Sequence, residues 1–205
     1  MPDDLQLHRC LPAGHPHHPG DPRGLLEDRG ATRLSEAPLP VIAHLVIRTD
    51  GAARGNPGPA SLGAALIDGA RRDALEPFAP PDATISQALG VQTNNVAEWT
   101  GVVEALKLAQ RLGAEQVDLL LDSKLIVEQL HGRWRVKDAK LAPLHAEAKR
   151  MLGGFVRWSA AHVPRAQNAT ADRLANEALD RVAAGGPARV ARARRAARAD
   201  EGGAA

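Results

Sequence analysis

The residues of greatest chemical interest in this 205-residue sequence are four carboxylates. Asp50 and Asp122 each end a short apolar run that predicts a buried strand. Glu98 lies on a predicted helix, and Asp172 lies in the first turns of another. Strand ends and helix starts can converge at one edge of a sheet, and carboxylates gathered there need cations. Since hard oxygen ligands select Mg²⁺ or Mn²⁺ over Zn²⁺, the four acids are candidate ligands for two-metal phosphodiester hydrolysis.

Each of these acids also has a structural explanation. Asp50 could form a turn with the glycine that follows it, Asp122 could cap a helix, and the helix dipole alone would favour Asp172. Glu98 is harder to explain in this way, because it shares a helical stripe with apolar residues that must pack on the sheet. A capping box with Asn95 would give it one structural role. The apolar residues of that stripe are Val102, Ala105, Ala109 and Leu112.

Composition indicates one globular domain with appendages. Hydrophobic residues make up 44% of the chain and aromatic residues only 2%, so Leu, Val, Ile and Ala must supply the core. No apolar run approaches the roughly 18 residues of a membrane span, and the N-terminus does not have the pattern of a secretory signal. Cys10 has no partner for an intrachain disulfide. We therefore expect a cytoplasmic monomer with no membrane partner.

The two ends of the chain differ in charge from its centre. Residues 1–40 contain four Lys/Arg and six Asp/Glu (−2), residues 41–182 contain 17 and 16 (+1), and residues 183–205 contain five and two (+3). We interpret 1–40 as a disordered arm. Its His-rich tract, 15–19, could bind a metal, and we favour a solvated linker. The segment 183–205 is interpreted as a basic Ala/Arg-rich tail, partly helical, that is either solvated or in diffuse contact with phosphates. Charge alone is weak evidence for nucleic-acid binding here.

Hydrophobic periodicity predicts alternating strands and helices between residues 41 and 182. The order β-β-β-α-β-α-α-β-α implies a mixed sheet with helices packed on it, an α/β layer fold. Strands are predicted at about 41–49, 61–68, 72–79, 117–121 and 155–163. Helices are predicted at about 95–112, 123–131, 141–152 and 168–182.

The segments that carry the four acids form a recognisable series. An Asp-Gly loop with Asn-Pro-Gly-Pro, followed by Thr-Asn-Asn-x-x-Glu, is a specific pair, and two further acid-containing segments follow in order. These segments are Thr49–Pro59, Thr93–Glu98, Asp122–Ser123 and Asn168–Asn176. On these residues the sequence resembles ribonuclease HI, and in particular the shorter archaeal-like and actinobacterial-like branch of that family.

The resemblance implies an RNase H-like α/β fold, with a five-stranded mixed sheet flanked by helices. It implies an endonuclease that cuts the RNA strand of RNA–DNA hybrids, with the four acids as its metal-binding catalytic set. Asn56, Asn94 and Asn95 match positions that contact the hybrid, where amides can pair with 2′-hydroxyl groups. Turn and cap chemistry is compatible with the same residues. Ser123 either touches backbone phosphate or only begins a helix.

Two features depart from the best-known bacterial branch. A short segment, 132–140, with four basic residues and Trp134, stands where that branch has a long basic handle. It could grip the DNA strand through phosphates and stacking, or form a solvated loop around a buried tryptophan. The second departure concerns a flexible histidine that aids proton transfer or product release. His162 has the matching spacing, but Arg165 could take the role, as in the shorter branch, and we favour Arg165.

Two other functions are compatible with parts of this pattern. Another nuclease of the same superfold would share the acids but not the segment Thr93–Glu98. A non-catalytic module that binds hybrids or RNA would be expected to have lost at least one acid, and all four are present.

Overall fold

The computed structural model describes residues 41–194, and the structural statements below refer to this range. The strands are β1 (His44–Ala53), β2 (Gly58–Asp68), β3 (Ala83–Gln92), β4 (Gln116–Leu121), β5 (Arg157–His162) and β6 (Arg189–Ala193). The helices are α1 (Asn94–Arg111), α2 (Lys124–Leu130), α3 (Leu141–Leu152) and α4 (Ala169–Ala183). A 3₁₀ turn, Arg165–Asn168, immediately precedes α4.

The six strands form one mixed sheet in the order β5-β4-β1-β2-β3-β6. Strands β1, β2 and β3 are antiparallel neighbours, whereas β4 runs parallel to both β1 and β5. Parallel neighbours require crossover connections, and helices provide them here: α1 leads from β3 to β4, and α2 and α3 lead from β4 to β5. As a result, β1, β4 and β5 all end at the same edge of the sheet.

The two faces of the sheet are covered by different elements. Leu45 and Ile47 of β1 belong to the main core, which packs against α1, α2 and α3. Helix α4 packs on the opposite face, over β1, β2 and β3. Gly63 permits this close packing, since a Cβ there would lie 2.1 Å from the carbonyl oxygen of Ala171. Aliphatic residues dominate this core, as the composition predicted.

The structure confirms the predicted elements except for the strand at 72–79. That segment lies in the loop between β2 and β3, and the third strand follows it in sequence. Arg71 organises the loop through ion pairs with Asp73 (2.6 Å) and Asp82 (2.9 Å). Ala74 and Ala79 of this loop pack against Val46 and Ile67 of the sheet, whereas Leu75 and Phe78 are exposed, so the segment is held by turns and not by strand pairing.

A sixth strand stands where the sequence predicted a partly helical tail. Strand β6 pairs antiparallel with β3 and lies at the edge of the sheet. Arg189 donates to Glu104 of α1 at 2.7 Å, and the backbone N–H of Arg194 donates to the carbonyl of Asp82 at 2.6 Å. The expectation of helix is therefore wrong for residues 189–193, because pairing with an open strand edge outweighs the helix propensity of alanine.

Some predictions concern residues outside the described range. They include the arm 1–40 with its His-rich tract, and the last eleven residues of the tail, which contain Arg195 and Arg198. Within residues 41–194, no helix has both the length and the apolar character needed to cross a bilayer.

Truncation of the chain after Gly186 is expected to lower its stability, because it removes β6, exposes the edge of β3 and leaves Glu104 without Arg189. We expect Tm to fall by more than about 2–4 °C, the shift that ~1 kcal/mol produces in a chain of this size. Truncation after Arg194 is the control, since it retains β6, and its Tm should match that of the full chain. Equal melting of both truncated proteins, measured by calorimetry, would contradict the structural role of β6.

Candidate active site

The four acids approach one another at the sheet edge where β1 and β4 end. Asp50 lies in β1, and Asp122 follows the last residue of β4. Helix α1 contacts β1 closely at Gly51, where a Cβ would lie 2.4 Å from the backbone nitrogen of Glu98. Only glycine allows this approach, which brings Glu98 beside the strand end. Asp172 arrives from the opposite face, in the first turn of α4.

Asp50 carries the clearest electrostatic sign of this convergence. Its side chain is buried, and Oδ1 accepts a hydrogen bond from the N–H of Gly51 at 2.8 Å. Burial is the main cause that raises the pKa of Asp50 from 3.8 to about 8, and the charge of Asp122 is the second. The charges of Asp172 and Glu98 raise this pKa further, and the Gly51 N–H opposes the shift. Burial and the three neighbouring acids thus disfavour the ionised form of Asp50.

Glu98 is partly buried and held by neutral partners. Nδ2 of Asn94, one helical turn earlier, donates to Oε1 of Glu98 at 2.8 Å. Burial raises the pKa of Glu98 above its usual value, and the charge of Asp122 adds to the effect. Hydrogen bonding by Ser123 and Asn94 opposes it. Glu98 is thus a second acid whose ionised form a cation would stabilise.

The capping alternatives for these acids are wrong. The cap of α1 is Thr93, whose side chain accepts from a backbone N–H three residues later at 3.4 Å, so Asn95 and Glu98 form no capping box. Ser123, and not Asp122, occupies the cap position of α2, without a side-chain hydrogen bond to the helix. Neither Glu98 nor Asp122 therefore owes its position to helix capping.

Asp122 is held by a buried amide from the turn before α4. Nδ2 of Asn168 donates to Oδ1 of Asp122 at 2.8 Å and to the carbonyl oxygen of Thr49 at 2.9 Å. Asn168 is fully buried, so this contact is shielded from water. On the other side, Nε2 of the exposed His162 lies 3.2 Å from the backbone oxygen of Asp122. His162 thus contacts the main chain of the site and no carboxylate.

Asp172 forms an ion pair with Arg165. The guanidinium of Arg165 lies 2.6 Å from Oδ1 of Asp172, and its side chain is 78% exposed. Hydrogen bonding to Asp172 and its charge raise the pKa of Arg165, and the charge of Asp50 contributes. Of the two candidates for proton transfer or product release, Arg165 is the one that touches a site carboxylate.

The three candidate substrate-binding asparagines lie together at the start of α1. Oδ1 of Asn56, in the loop between β1 and β2, accepts from the backbone N–H of Asn94 at 3.2 Å. Asn56 and Asn95 are exposed, whereas Asn94 is partly buried against Glu98. An exposed pair of amides thus adjoins the acids, on a surface that a ligand can reach.

The basic segment 132–140 forms the exposed connection between α2 and α3. Trp134 is 46% exposed, so the alternative of a loop around a buried tryptophan is wrong. Arg133 pairs with Glu128 of α2 at 2.5 Å. The other basic residues of the segment form no ion pair with any residue in 41–194. They are Arg135, Lys137 and Lys140.

Within the described residues, the acids do not form a preassembled group of three or more side chains that could hold one ion. Each has its own partner, an amide for Glu98 and Asp122, a backbone N–H for Asp50 and a guanidinium for Asp172. The donors are carboxylate oxygens without a thiol among them, which suits Mg²⁺ or Mn²⁺. The raised pKa of Asp50 also fits a divalent cation, whose charge would favour the ionised carboxylate.

The sequence did not lead us to assign a role to Asn168 or Arg48. Asn168 belongs to a segment that carried the family resemblance, but its burial and its contact with Asp122 depend on the packing of α4. Arg48 is 1% exposed in the middle of β1. In the sequence, the feature that could have drawn attention to Arg48 is its position as a cation within a predicted apolar strand, two residues before Asp50.

Comparison with known proteins identifies a family model and a curated relative that each match about two thirds of the chain. The family model described as "Reverse transcriptase-like" matches residues 48–178. Bifunctional protein Rv2228c of Mycobacterium tuberculosis is 45% identical over 139 residues, which are 68% of this chain and 36% of that protein. The chain therefore spans about a third of the length of this mycobacterial relative.

Two solved structures resemble the chain closely. The crystal structure of RNase H1 from the halophilic archaeon Halobacterium salinarum has a TM-score of 0.62 and 40% identity, covering 67% of this chain and 98% of that one. The crystal structure of LC11-RNase H1 in complex with an RNA/DNA hybrid has a TM-score of 0.60 and 35% identity, covering 68% and 99%.

Replacement of Asp50 by asparagine is expected to stabilise the metal-free protein at alkaline pH. Folding raises the pKa of Asp50 from 3.8 to about 8, so the folded state binds this proton more tightly than the unfolded chain. The resulting stabilisation is complete below pH ~4 and is lost as the pH rises through about 8. At pH 8 Asp50→Asn should therefore be the more stable protein by at least about 1 kcal/mol, with little difference at pH 4.

The measurement is urea unfolding at both pH values with EDTA present. Asp180→Asn is the control, because it removes an exposed carboxylate of α4 that pairs with Arg54, and it should not reproduce the stabilisation of Asp50→Asn at pH 8. A wild-type protein and an Asp50→Asn variant of equal stability at pH 8 would contradict the assigned environment of Asp50.

Proposed function

The chain belongs to the ribonuclease H family, and we propose that it is an endonuclease that hydrolyses the RNA strand of RNA–DNA hybrids by a two-metal-ion mechanism. The observation that carries the proposal is geometric: Asp50 and Asp122 each lie three residues beyond the last pair of the parallel strands β1 and β4, Ile47 and Leu119. The close approach at Gly51 adds Glu98 to them, and cation binding is the simplest gain from gathering carboxylates in this way. The relative crystallised with an RNA/DNA hybrid supports the substrate class.

The four acids would hold the divalent ions, Mg²⁺ or Mn²⁺. When bound, such ions supply a water that is easily deprotonated and stabilise the charge on the leaving oxygen. Asp50 gains most from them, since it is the most buried of the four and its ionised form is disfavoured in their absence. Asn94 and Asn168 hold Glu98 and Asp122 in defined orientations, and ion binding would draw the carboxylates together from there.

Arg165 is proposed to assist proton transfer or the release of product. Its guanidinium contacts Asp172 and remains protonated, so it can donate hydrogen bonds to a phosphate but cannot act as a base. His162 is the titratable alternative, and its Nε2 could carry a proton beside the backbone of Asp122. Arg165 is favoured because it reaches a site carboxylate directly.

Recognition of the hybrid is proposed to use two surfaces. Asn56, Asn94 and Asn95 would sense the 2′-hydroxyl groups of the RNA strand across the minor groove, next to the acids. The exposed segment 132–140 would bind the DNA strand. Trp134 would stack on a base or sugar, and the unpaired cations of the segment would contact phosphates. Ser123 lies between Asp122 and α2 and would contact backbone phosphate.

The replacement Asp122→Asn is expected to abolish hybrid cleavage without unfolding the protein. It removes a ligand charge but keeps the shape of the side chain, so turnover at saturating Mg²⁺ should fall by about two orders of magnitude or more. Asp118→Asn is a matched control on the same strand, since Asp118 contacts His44 and Ser159 away from the site. Its turnover should stay close to that of the wild type.

The same assay includes duplex DNA as a second substrate, which should be spared. Wild-type turnover by Asp122→Asn would refute the catalytic assignment. Comparable cleavage of duplex DNA would favour another nuclease of this superfold. Tight binding of the hybrid by the wild-type protein without any cleavage would favour a non-catalytic module.

Mg²⁺ is expected to raise the melting temperature of the wild-type protein, because it binds the folded state and relieves repulsion among the acids. A tenfold excess over Kd should stabilise the protein by about 1.4 kcal/mol, or roughly 3–6 °C. Asp50→Asn should reduce this shift, and Asp118→Asn should retain it. The titration is run against KCl of equal ionic strength. An equal shift in the Asp50→Asn and wild-type proteins would place the ions elsewhere.

A further inference from the structure

Arg48 is a buried cation without a carboxylate partner. Its side chain, on the central strand β1, is 1% exposed, and its hydrogen bonds within the described residues go to two backbone carbonyls. Nη1 donates to the carbonyl of Gln167 at 2.8 Å, and Nη2 donates to that of Leu75 at 2.8 Å. Since an uncompensated buried charge costs several kcal/mol, an apolar residue would serve the core better. The position therefore calls for a role beyond packing.

The contact with Gln167 is half of a reciprocal link between β1 and the turn before α4. Arg48 donates to the carbonyl of Gln167, and the next residue of the turn, Asn168, donates to the carbonyl of Thr49, which follows Arg48. Two consecutive residues of the strand are thus bonded to two consecutive residues of the turn. The residue of β1 that follows this link is Asp50.

The same turn controls two other acids of the site. The amide of Asn168 that bonds to Thr49 also holds Oδ1 of Asp122 at 2.8 Å. Arg165, at the start of the turn, pairs with Asp172. A displacement of the turn away from β1 would therefore release Asp122 from its amide and move the partner of Asp172.

We infer that Arg48 is a positioning residue. Its hydrogen bond to the carbonyl of Gln167 holds the turn that contains Asn168, and Asn168 in turn holds Asp122 beside Asp50. The catalytic consequence rests on the function proposed above, whereas the positioning of Asn168 does not. The second hydrogen bond, to Leu75, fixes the guanidinium to the loop between β2 and β3. The two terminal nitrogens of Arg48 thus connect that loop with the turn before α4. A lysine ammonium does not have this planar fork and cannot reproduce both contacts in the same geometry.

The experiment compares Arg48→Met and Arg48→Lys with the wild-type protein. Arg181→Met is the matched control, because Arg181 also ties α4 to neighbouring carbonyls, those of Ser86 and Pro187, at the other end of the helix. Two quantities are measured: steady-state cleavage of a hybrid, and hydrogen exchange of the Asn168 side-chain amide by NMR without metal. The amide reports the position of Asn168 independently of activity.

In Arg48→Met we expect kcat to fall by about 10- to 100-fold, the effect of a small misplacement of catalytic groups, with KM near the wild-type value. Exchange of the Asn168 amide should accelerate in parallel. Arg48→Lys should recover part of both properties, since it restores one donor. Arg181→Met should lower Tm but leave kcat and the amide as in the wild-type protein.

A wild-type rate of amide exchange in both folded Arg48 variants overturns the inference. Faster exchange with unchanged kcat overturns its catalytic part. Failure of both variants to fold also counts against it, because Arg48 would then be a requirement of the whole fold. If the wild-type protein does not cut hybrids but its Asn168 amide responds to Arg48→Met, the proposed function fails and the positioning role stands.

Discussion

Ionising Asp50 means placing a negative charge in the protein interior, within the electrostatic reach of three other acids. The topology contributes to this cost, because β1 is a central strand and Asp50 lies just beyond the part of β1 that pairs with the parallel strand β4. Gly51 adds to this cost, because the absence of a side chain there allows the backbone of Glu98 to pack directly against β1. The site therefore lowers the stability of the folded protein, and the hydrogen-bond partners of the acids reduce this loss.

Those partners hold the acids one at a time. An amide restrains Asp122, another restrains Glu98, and a guanidinium neutralises Asp172. In the described residues, no three of the carboxylates form a ready ion site. Their positions are instead defined by these individual contacts. For Glu98 and Asp122 the restraint comes from neutral amides, which orient two like charges without cancelling them.

The sequence predicted the elements with strong periodicity and the acids that break it. Helix α1 and the acid on its apolar stripe could be identified because a carboxylate among Val102, Ala105 and Leu112 conflicts with the pattern. Strand β3 was missed because its Ala-, Ser- and Gln-containing sequence alternates weakly, whereas the preceding loop is more apolar. Asn168 and Arg48 could not be found, since their contacts join segments 119 residues apart. Only tertiary packing makes them neighbours.

The charge of the basic tail is compatible with a solvated segment or with diffuse phosphate contact, and the structure gives ion-pair partners to two of its five arginines. Arg189 pairs with Glu104 of α1, and Arg194 lies 4.0 Å from Asp82, which immediately precedes β3. Arg192 of β6 is exposed and forms no ion pair within residues 41–194. The segment 132–140 contributes less to the net charge of the chain, yet three of its four cations form no ion pair within residues 41–194. A cation that already forms an ion pair within the protein attracts phosphate less strongly than an unpaired cation. The number of basic residues in a segment is therefore a poor measure of its phosphate affinity. In the part of the chain that the structure describes, exposed cations without an internal ion-pair partner therefore lie both in the segment 132–140, beside Trp134, and on β6, at Arg192.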